Sequence, residues 1–201
     1  MSGMSTSTQI IEPTDALLVV DPQNDFLPGG TLAVPEGNRI FEPVNSLMPK
    51  FGYVVASRDW HPRNHAFFQA NGGPWPWHCL AGTPGAEFSS LLRAEQIDEI
   101  VDKGTDPQTD GYSAFAGTDL AQRLRARGIR RVFIAGIATD YCVKSTTIDA
   151  VEAGFQAIVL TDAIAAINAT PGDEQRDFDA MREHGVQFVE SRALMPNAEA
   201  S

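Results

Sequence analysis

Hydrophobic positions along the chain fall into short unbroken runs. They do not alternate with polar ones. Ala16-Leu17-Leu18-Val19-Val20 stops at Asp21, and Tyr53-Val54-Val55-Ala56-Ser57 leads through Arg58 to Asp59 and His61. Ile100-Val101-Asp102 reaches Lys103, and Val132-Phe133-Ile134-Ala135-Gly136-Ile137 opens into Ala138-Thr139-Asp140-Tyr141-Cys142. Runs this short, rich in β-branched residues, predict strands of a parallel sheet covered on both faces. The third strand is expected around 97–101, a fifth at 156–161 and a sixth at 186–189. The stretch 37–50 places Ile40, Phe41, Val44, Leu47 and Met48 at helical spacing, and 118–128, 140–154 and 173–185 also read as helices. The alternation predicts an α/β chain with a three-layer α/β/α, Rossmann-like architecture and a mostly parallel six-stranded sheet. It reads as one domain from 15 to 191 between a loose N-terminal tail, 1–14, and a C-terminal tail, 192–201.

Between the second and third strands the periodicity breaks. Residues 60–88 hold all three tryptophans and three of the four histidines. A connection that long inside a compact domain is usually functional, and its aromatic content speaks against disorder. An ordered, site-building loop is expected there.

Composition narrows the partners. Across 201 residues, 15 basic residues against 26 acidic ones leave a net charge of −11, which makes nucleic acid a poor partner. A small, weakly charged molecule fits better. The first 15 residues carry no Lys or Arg, and no apolar stretch approaches a membrane span, so a cytoplasmic protein is expected. Two cysteines without a secretion signal are expected as reduced thiols rather than a Cys79–Cys142 disulfide.

The chemistry lies where the strands end. In open parallel sheets, ligands bind beyond the carboxyl ends of the strands, so Asp21, Lys103 and Cys142 are expected to share one crevice. Cys142 is expected near the second position of a helix, where unpaired amides and the helix dipole favour a thiolate. The same amides could hold an oxyanion, each such donor contributing about 3–4 kcal/mol. Asp21 could take the thiol proton and later protonate a leaving amine, while the Lys103 ammonium helps ionise the sulfur.

Asp59 and His61 stand two apart, on one side of an extended segment, and His78 follows in the same loop. Two imidazoles and a carboxylate suit zinc, iron or manganese and leave positions open. His65 could be a fourth ligand or could orient the others; His184 reads as a surface residue.

At this point the motifs become specific. Val20-Asp21-Pro22-Gln23-Asn24-Asp25-Phe26, Asp59-Trp60-His61-Pro62, Trp77-His78-Cys79, Lys103-Gly104 and Gly136-Ile137-Ala138-Thr139-Asp140-Tyr141-Cys142 stand in one order. In that order they resemble the signatures of the nicotinamidase/pyrazinamidase branch of the isochorismatase-like cysteine hydrolases, over roughly residues 16–189. The resemblance implies a catalytic triad of Asp21, Lys103 and Cys142, and one divalent metal, zinc foremost, on Asp59, His61 and His78. It implies a cis peptide between Ile137 and Ala138, with the amides of Ala138 and Cys142 as the oxyanion hole. It also implies a ring pocket of Phe26, Leu32, Trp75, Tyr112 and Tyr141, and it is compatible with a homo-oligomer. The activity implied is hydrolysis of nicotinamide to nicotinate and ammonia in NAD salvage, with pyrazinamide as a second substrate.

Three other readings compete with it. Relatives acting on carbamoyl or ureido amides generally lack the metal set, so the Asp59/His61/His78 cluster favours the pyridine carboxamide. A non-haem iron oxygenase would explain that cluster but leave Asp21, Lys103 and Cys142 unused. A binding module would predict nicotinamide binding without ammonia release.

Overall fold

The computed structural model describes residues 8–170 and 172–196. In chain order the elements are β1 (Gln9–Ile11), β2 (Asp15–Val20), α1 (Phe41–Leu47), β3 (Val54–Asp59), β4 (Glu99–Lys103), α2 (Leu120–Ala126), β5 (Arg131–Ile137), α3 (Lys144–Glu152), β6 (Gln156–Ala165), α4 (Asp173–Glu183), β7 (Gln187–Val189) and β8 (Leu194–Pro196). Six of the strands form one sheet in the order β4-β3-β2-β5-β6-β7. Every pairing in it is parallel. The three-layer expectation holds.

Alternate residues of the central strands feed two separate cores. Leu17 and Val19 of β2, with Phe133, Ala135 and Ile137 of β5, join Phe41, Val44 and Leu47 of α1 on one face. Leu18 and Val20, with Val132 and Ile134, meet Leu120 and Leu124 of α2, Ala150 of α3 and Met181 of α4 on the other. A strand buried on both sides has no polar face to show, which is why these runs are continuous in the sequence.

The chain enters the sheet at β2, builds outward through β3 to β4, then returns to the other side of β2 and builds β5, β6 and β7. The order therefore reverses between β2 and β5, and a crevice opens where connections leave in opposite directions. Gly136 permits the close passage there: at φ +122° a Cβ would lie 2.1 Å from the Val20 carbonyl oxygen.

Several expectations shift. The third strand runs Glu99–Lys103, two residues later than expected, so Lys103 itself is the last strand residue. β6 extends to Ala165 because an irregularity in its pairing with β5, between Ile134 and Gly136, absorbs the polar Thr161-Asp162 step. The expected N-terminal tail contains β1, which pairs in parallel with β8 in the expected C-terminal tail, Gln9 against Leu194. Ile11 and Leu194 tie that small sheet to the first core. Residues 1–7 and 197–201 of those tails lie outside the described residues.

Candidate active site

β2 ends by aiming Asp21 into the crevice. The residue takes φ +49° and is fully buried. Ser57, from neighbouring β3, donates its hydroxyl to Asp21 Oδ1 at 2.7 Å. Lys103, at the end of β4, reaches back across β3. Its Nζ lies 2.8 Å from Asp21 Oδ2, 2.5 Å from Asp59 Oδ1 and 3.4 Å from Cys142 Sγ. A fourth contact, to the Gly111 carbonyl at 2.9 Å, fixes the ammonium at the centre. Asp21, Asp59 and Cys142 bring one polar atom each to within 4.8 Å of one another around it. One buried cation thus joins three acidic groups contributed from β2, β3 and the turn after β5.

Cys142 does not sit at the second position of an α-helix. Thr139–Val143 forms a wider π-helical turn, and α3 begins only at Lys144. The wide turn lets the amides of Tyr141 and Val143 both donate to the Ala138 carbonyl, at 3.1 and 3.0 Å. The peptide bond between Ile137 and Ala138 is cis, as expected. Asp140 holds the opposite wall: its carboxylate accepts the amides of Ile167 at 3.1 Å and Asn168 at 2.7 Å. That contact places Ile167 in the cleft beside Tyr141.

The electrostatics of the cluster follow from burial and from the shared ammonium. Burial raises the Cys142 thiol well above its usual value, and Lys103 only partly offsets this because Asp21 and Asp59 push the same way as burial. The surroundings thus disfavour the sulfur's charged form, which gives a neighbouring base a role. Burial, opposed by Lys103 and helped by Asp59, pushes the Asp21 carboxyl up to about 6. For Asp59 burial also raises the value, but Lys103 and His61 outweigh it and keep the group ionised. Burial disfavours the Lys103 charge, yet Asp21 and Asp59 more than restore it. Two carboxylates around one ammonium have been driven apart, one towards a proton carrier and one towards a permanent anion, the separation expected of acid–base machinery.

Beside this cluster Asp59, His61 and His78 converge. Their donor atoms all lie within 4.8 Å of one another, and Asp59 Oδ2 is 3.2 Å from His61 Nε2 and 4.0 Å from His78 Nε2. His61 Nδ1 is 2.9 Å from the Gly104 carbonyl, and His78 Nδ1 is 2.8 Å from that of Pro76. A carbonyl only accepts, so each Nδ1 carries a hydrogen, and each Nε2 is the ring nitrogen left to bind a cation in place of its own proton. The donor set fits a divalent cation.

His65 is buried with its ring 4.4 Å from that of His61, and its Nδ1 accepts the Phe67 amide at 3.3 Å. Burial and then His61 lower its pKa to about 4. Among the described residues it stands next to the converging donors but outside them.

The cleft above is walled by Phe26, Leu32, Trp75, Tyr112 and Tyr141, the five residues expected. Trp75 Nε1 donates to the Tyr112 hydroxyl at 2.9 Å, and the Trp75 and Tyr141 rings meet edge to face at 5.0 Å. The sequence reading missed Phe67, Asp110 and Ile167 in the same wall. They come from loops without periodicity, and only Phe67 carried a signal, by lying among the clustered aromatics of 60–88. Both cysteines are free, and His184 is exposed.

A parallel α/β sheet whose switch point gathers a cysteine, a lysine and an aspartate, beside a two-histidine carboxylate set, defines an enzyme of the cysteine-hydrolase class. The Isochorismatase domain family matches residues 15–193, and the chain belongs to that family. It is 40% identical to the nicotinamidase of Acinetobacter baylyi over 202 aligned residues, covering 90% of this chain and 94% of that protein. The structure of PnC1 from L. infantum in complex with nicotinate superimposes with a TM-score of 0.91 at 37% identity, covering 94% of this chain and all of that one. The pyrazinamidase of Pyrococcus horikoshii in complex with zinc is 47% identical with a TM-score of 0.82, covering 89% and 99% of the two chains. Among the described residues no helix is long and apolar enough to cross a membrane.

Proposed function

We propose that the chain is a metal-dependent cysteine amidohydrolase that converts nicotinamide to nicotinate and ammonia, acts on pyrazinamide by the same route, and serves NAD salvage in the cytoplasm. The observation that carries this is the Lys103 ammonium, in contact with Asp21, Asp59 and Cys142 together below an aromatic-walled cleft. The nicotinamidase relative and the relatives holding nicotinate and zinc support the same substrate and a divalent ion.

Asp59, His61 and His78 would hold that ion, zinc by preference over iron or manganese. When bound it acts as a Lewis acid that withdraws electron density from the pyridine ring. The aromatic walls sandwich the ring and exclude water from its faces. Asp21 takes the Cys142 proton as the sulfur attacks the carboxamide carbon. The amides of Ala138 and Cys142 receive the developing oxyanion. Asp21 then returns the proton to the departing ammonia, which leaves poorly without it. Water, deprotonated by Asp21, cleaves the thioester and releases nicotinate. Lys103 keeps Asp21 and the sulfur within reach of each other throughout.

A coupled ammonia assay tests the reading directly. Nicotinamide and pyrazinamide are both expected to release ammonia, with nicotinate recovered in equal amount from the first. Hydrolysis of a carbamoyl or ureido amide with none of nicotinamide would assign the thiol to a different substrate.

Gly104 provides a second check. It adopts φ +63°, and a Cβ there would lie 2.3 Å from His61 Cε1 and 2.6 Å from its Nδ1. Gly104→Ala should therefore swing the imidazole off its carbonyl and weaken metal retention by about 10–100-fold, with far-UV circular dichroism unchanged. Metal analysis after dialysis against a chelator reads the effect; full retention would show that His61 does not need this carbonyl.

A further inference from the structure

The segment that delivers Asp21 does more than the mechanism uses. Two residues on, Gln23 is fully buried. Its Oε1 accepts the Asp59 amide at 2.8 Å, and its Nε2 donates to the Asp59 carbonyl at 2.8 Å and the Ala86 carbonyl at 2.8 Å. Both amide donors are thereby used. The side chain grips Asp59 from both sides, as a neighbouring strand would, just beyond the last β2–β3 pair, Val20 with Ser57.

Two residues further, Asp25 Oδ2 accepts the amide of Cys79 at 2.7 Å, immediately after His78. The Asp25 carboxylate fits against Gly85, where a Cβ would come within 2.2 Å of it. Backbone bonds close the arrangement: Asn24 donates to Glu87 at 3.0 Å, and Ser89 donates to Pro22 at 2.9 Å. The loop 60–88 forms none of the named strands, so the backbone beside His78 takes its position from such contacts.

We infer that Gln23 and Asp25 are positioning residues, locking the backbone that carries Asp59 and His78 so that the segment bearing the base also sets the spacing of the metal ligands. This rests on the proposed metal site. Three residues of one short segment then divide the work: Asp21 faces the thiol, Gln23 holds the first ligand, and Asp25, in the helical turn Asn24–Phe26, holds the third. Groups that orient metal ligands in this way usually contribute about 10–100-fold to metal affinity.

The test is zinc affinity, measured on the purified holoenzyme by competition with a chelating dye, for wild type, Gln23→Met, Asp25→Ala and Asp25→Asn. Gln23→Met and Asp25→Ala should bind zinc about 10–100-fold more weakly. Asp25→Asn keeps an oxygen to accept the Cys79 amide and should stay close to wild type. Zinc affinity is a readout that loss of stability alone does not move in a variant whose near-ultraviolet circular dichroism remains native. If Gln23→Met does not fold, the two Asp25 variants decide. Wild-type affinity in folded Gln23→Met and Asp25→Ala would overturn the inference and leave the metal reading intact. Equal weakening in Asp25→Asn and Asp25→Ala would also overturn it, because the hydrogen bond to Cys79 would then not be the cause. A wild type that takes up no zinc would remove the metal reading and this inference with it.

Discussion

Replacing Cys142 with alanine is expected to lower ammonia release from nicotinamide by a factor on the order of 10⁴ to 10⁶ while leaving the protein folded. The sulfur lies 3.4 Å from Lys103 Nζ and lines the cleft where the carboxamide would sit. Removing it deletes the bond-forming atom. Cys79, the other thiol, is fully buried, does not line the cleft, and burial raises its pKa well above the usual value, so it offers no substitute. The packing cost is small, because one sulfur atom at an already nearly enclosed position is lost. Ring binding through the aromatic walls should persist, so calorimetric nicotinamide affinity should remain within a few-fold of wild type, since the lost interaction belongs to the transition state. Groups that act as a unit are not additive, so Asp21→Asn added to Cys142→Ala should cost almost nothing more. Substantial turnover by Cys142→Ala would remove the thioester route.

Lys103→Met should have the largest effect on stability. The ammonium is almost fully buried with Asp21 at 2.8 Å and Asp59 at 2.5 Å, and without it two carboxylates face each other inside the protein. Breaking a buried ion pair from one side costs about 3–5 kcal/mol, because the remaining charge is uncompensated. For a chain of this size that corresponds to a fall of roughly 6–20 °C in the thermal midpoint.

The sign of the pH dependence follows from Asp21. Its carboxyl is already pushed up to about 6 by burial, against the lowering effect of Lys103. Loss of the lysine raises it further. A carboxyl that holds its proton more tightly folded than unfolded contributes stability at acidic pH and loses it as pH rises through the folded value. The deficit of Lys103→Met should accordingly shrink on mild acidification, and any residual activity should shift its acid limb upward because the base stays protonated longer. Thermal unfolding at neutral and mildly acidic pH checks this. A deficit of equal size at both would mean that charge repulsion is not its origin. Lys103→Arg should rescue little, since a planar guanidinium cannot occupy a point-charge site surrounded on four sides.

Much of this protein was legible in order along the chain. The continuous apolar runs marked the strands, because burial on both faces leaves no polar alternation to preserve. The residues ending those runs, Asp21, Lys103 and the turn to Cys142, marked the crevice, because parallel strands all point their carboxyl ends the same way. The spacing of Asp59 and His61, with His78 in the same loop, suggested a donor set, since side chains two apart on extended backbone share a side.

What the linear pattern could not supply was anything set by distance across the sheet. The position of Lys103 between two carboxylates and a thiol depends on the order β4-β3-β2-β5, which places β4 one strand beyond β3 and lets a long side chain reach back. The sequence placed Cys142 at a helix start; the fold puts it in a π-turn, buried between Lys103 and two carboxylates whose charges act on the sulfur in opposite senses. Gln23 has no assigned role in the linear motif; its grip on the Asp59 backbone exists only in the packed fold. Periodicity and residue type decide which elements form and which groups can react. Burial, electrostatic coupling and hydrogen-bond partners arise between segments far apart in the chain, so only the packed structure decides how those groups are charged and held.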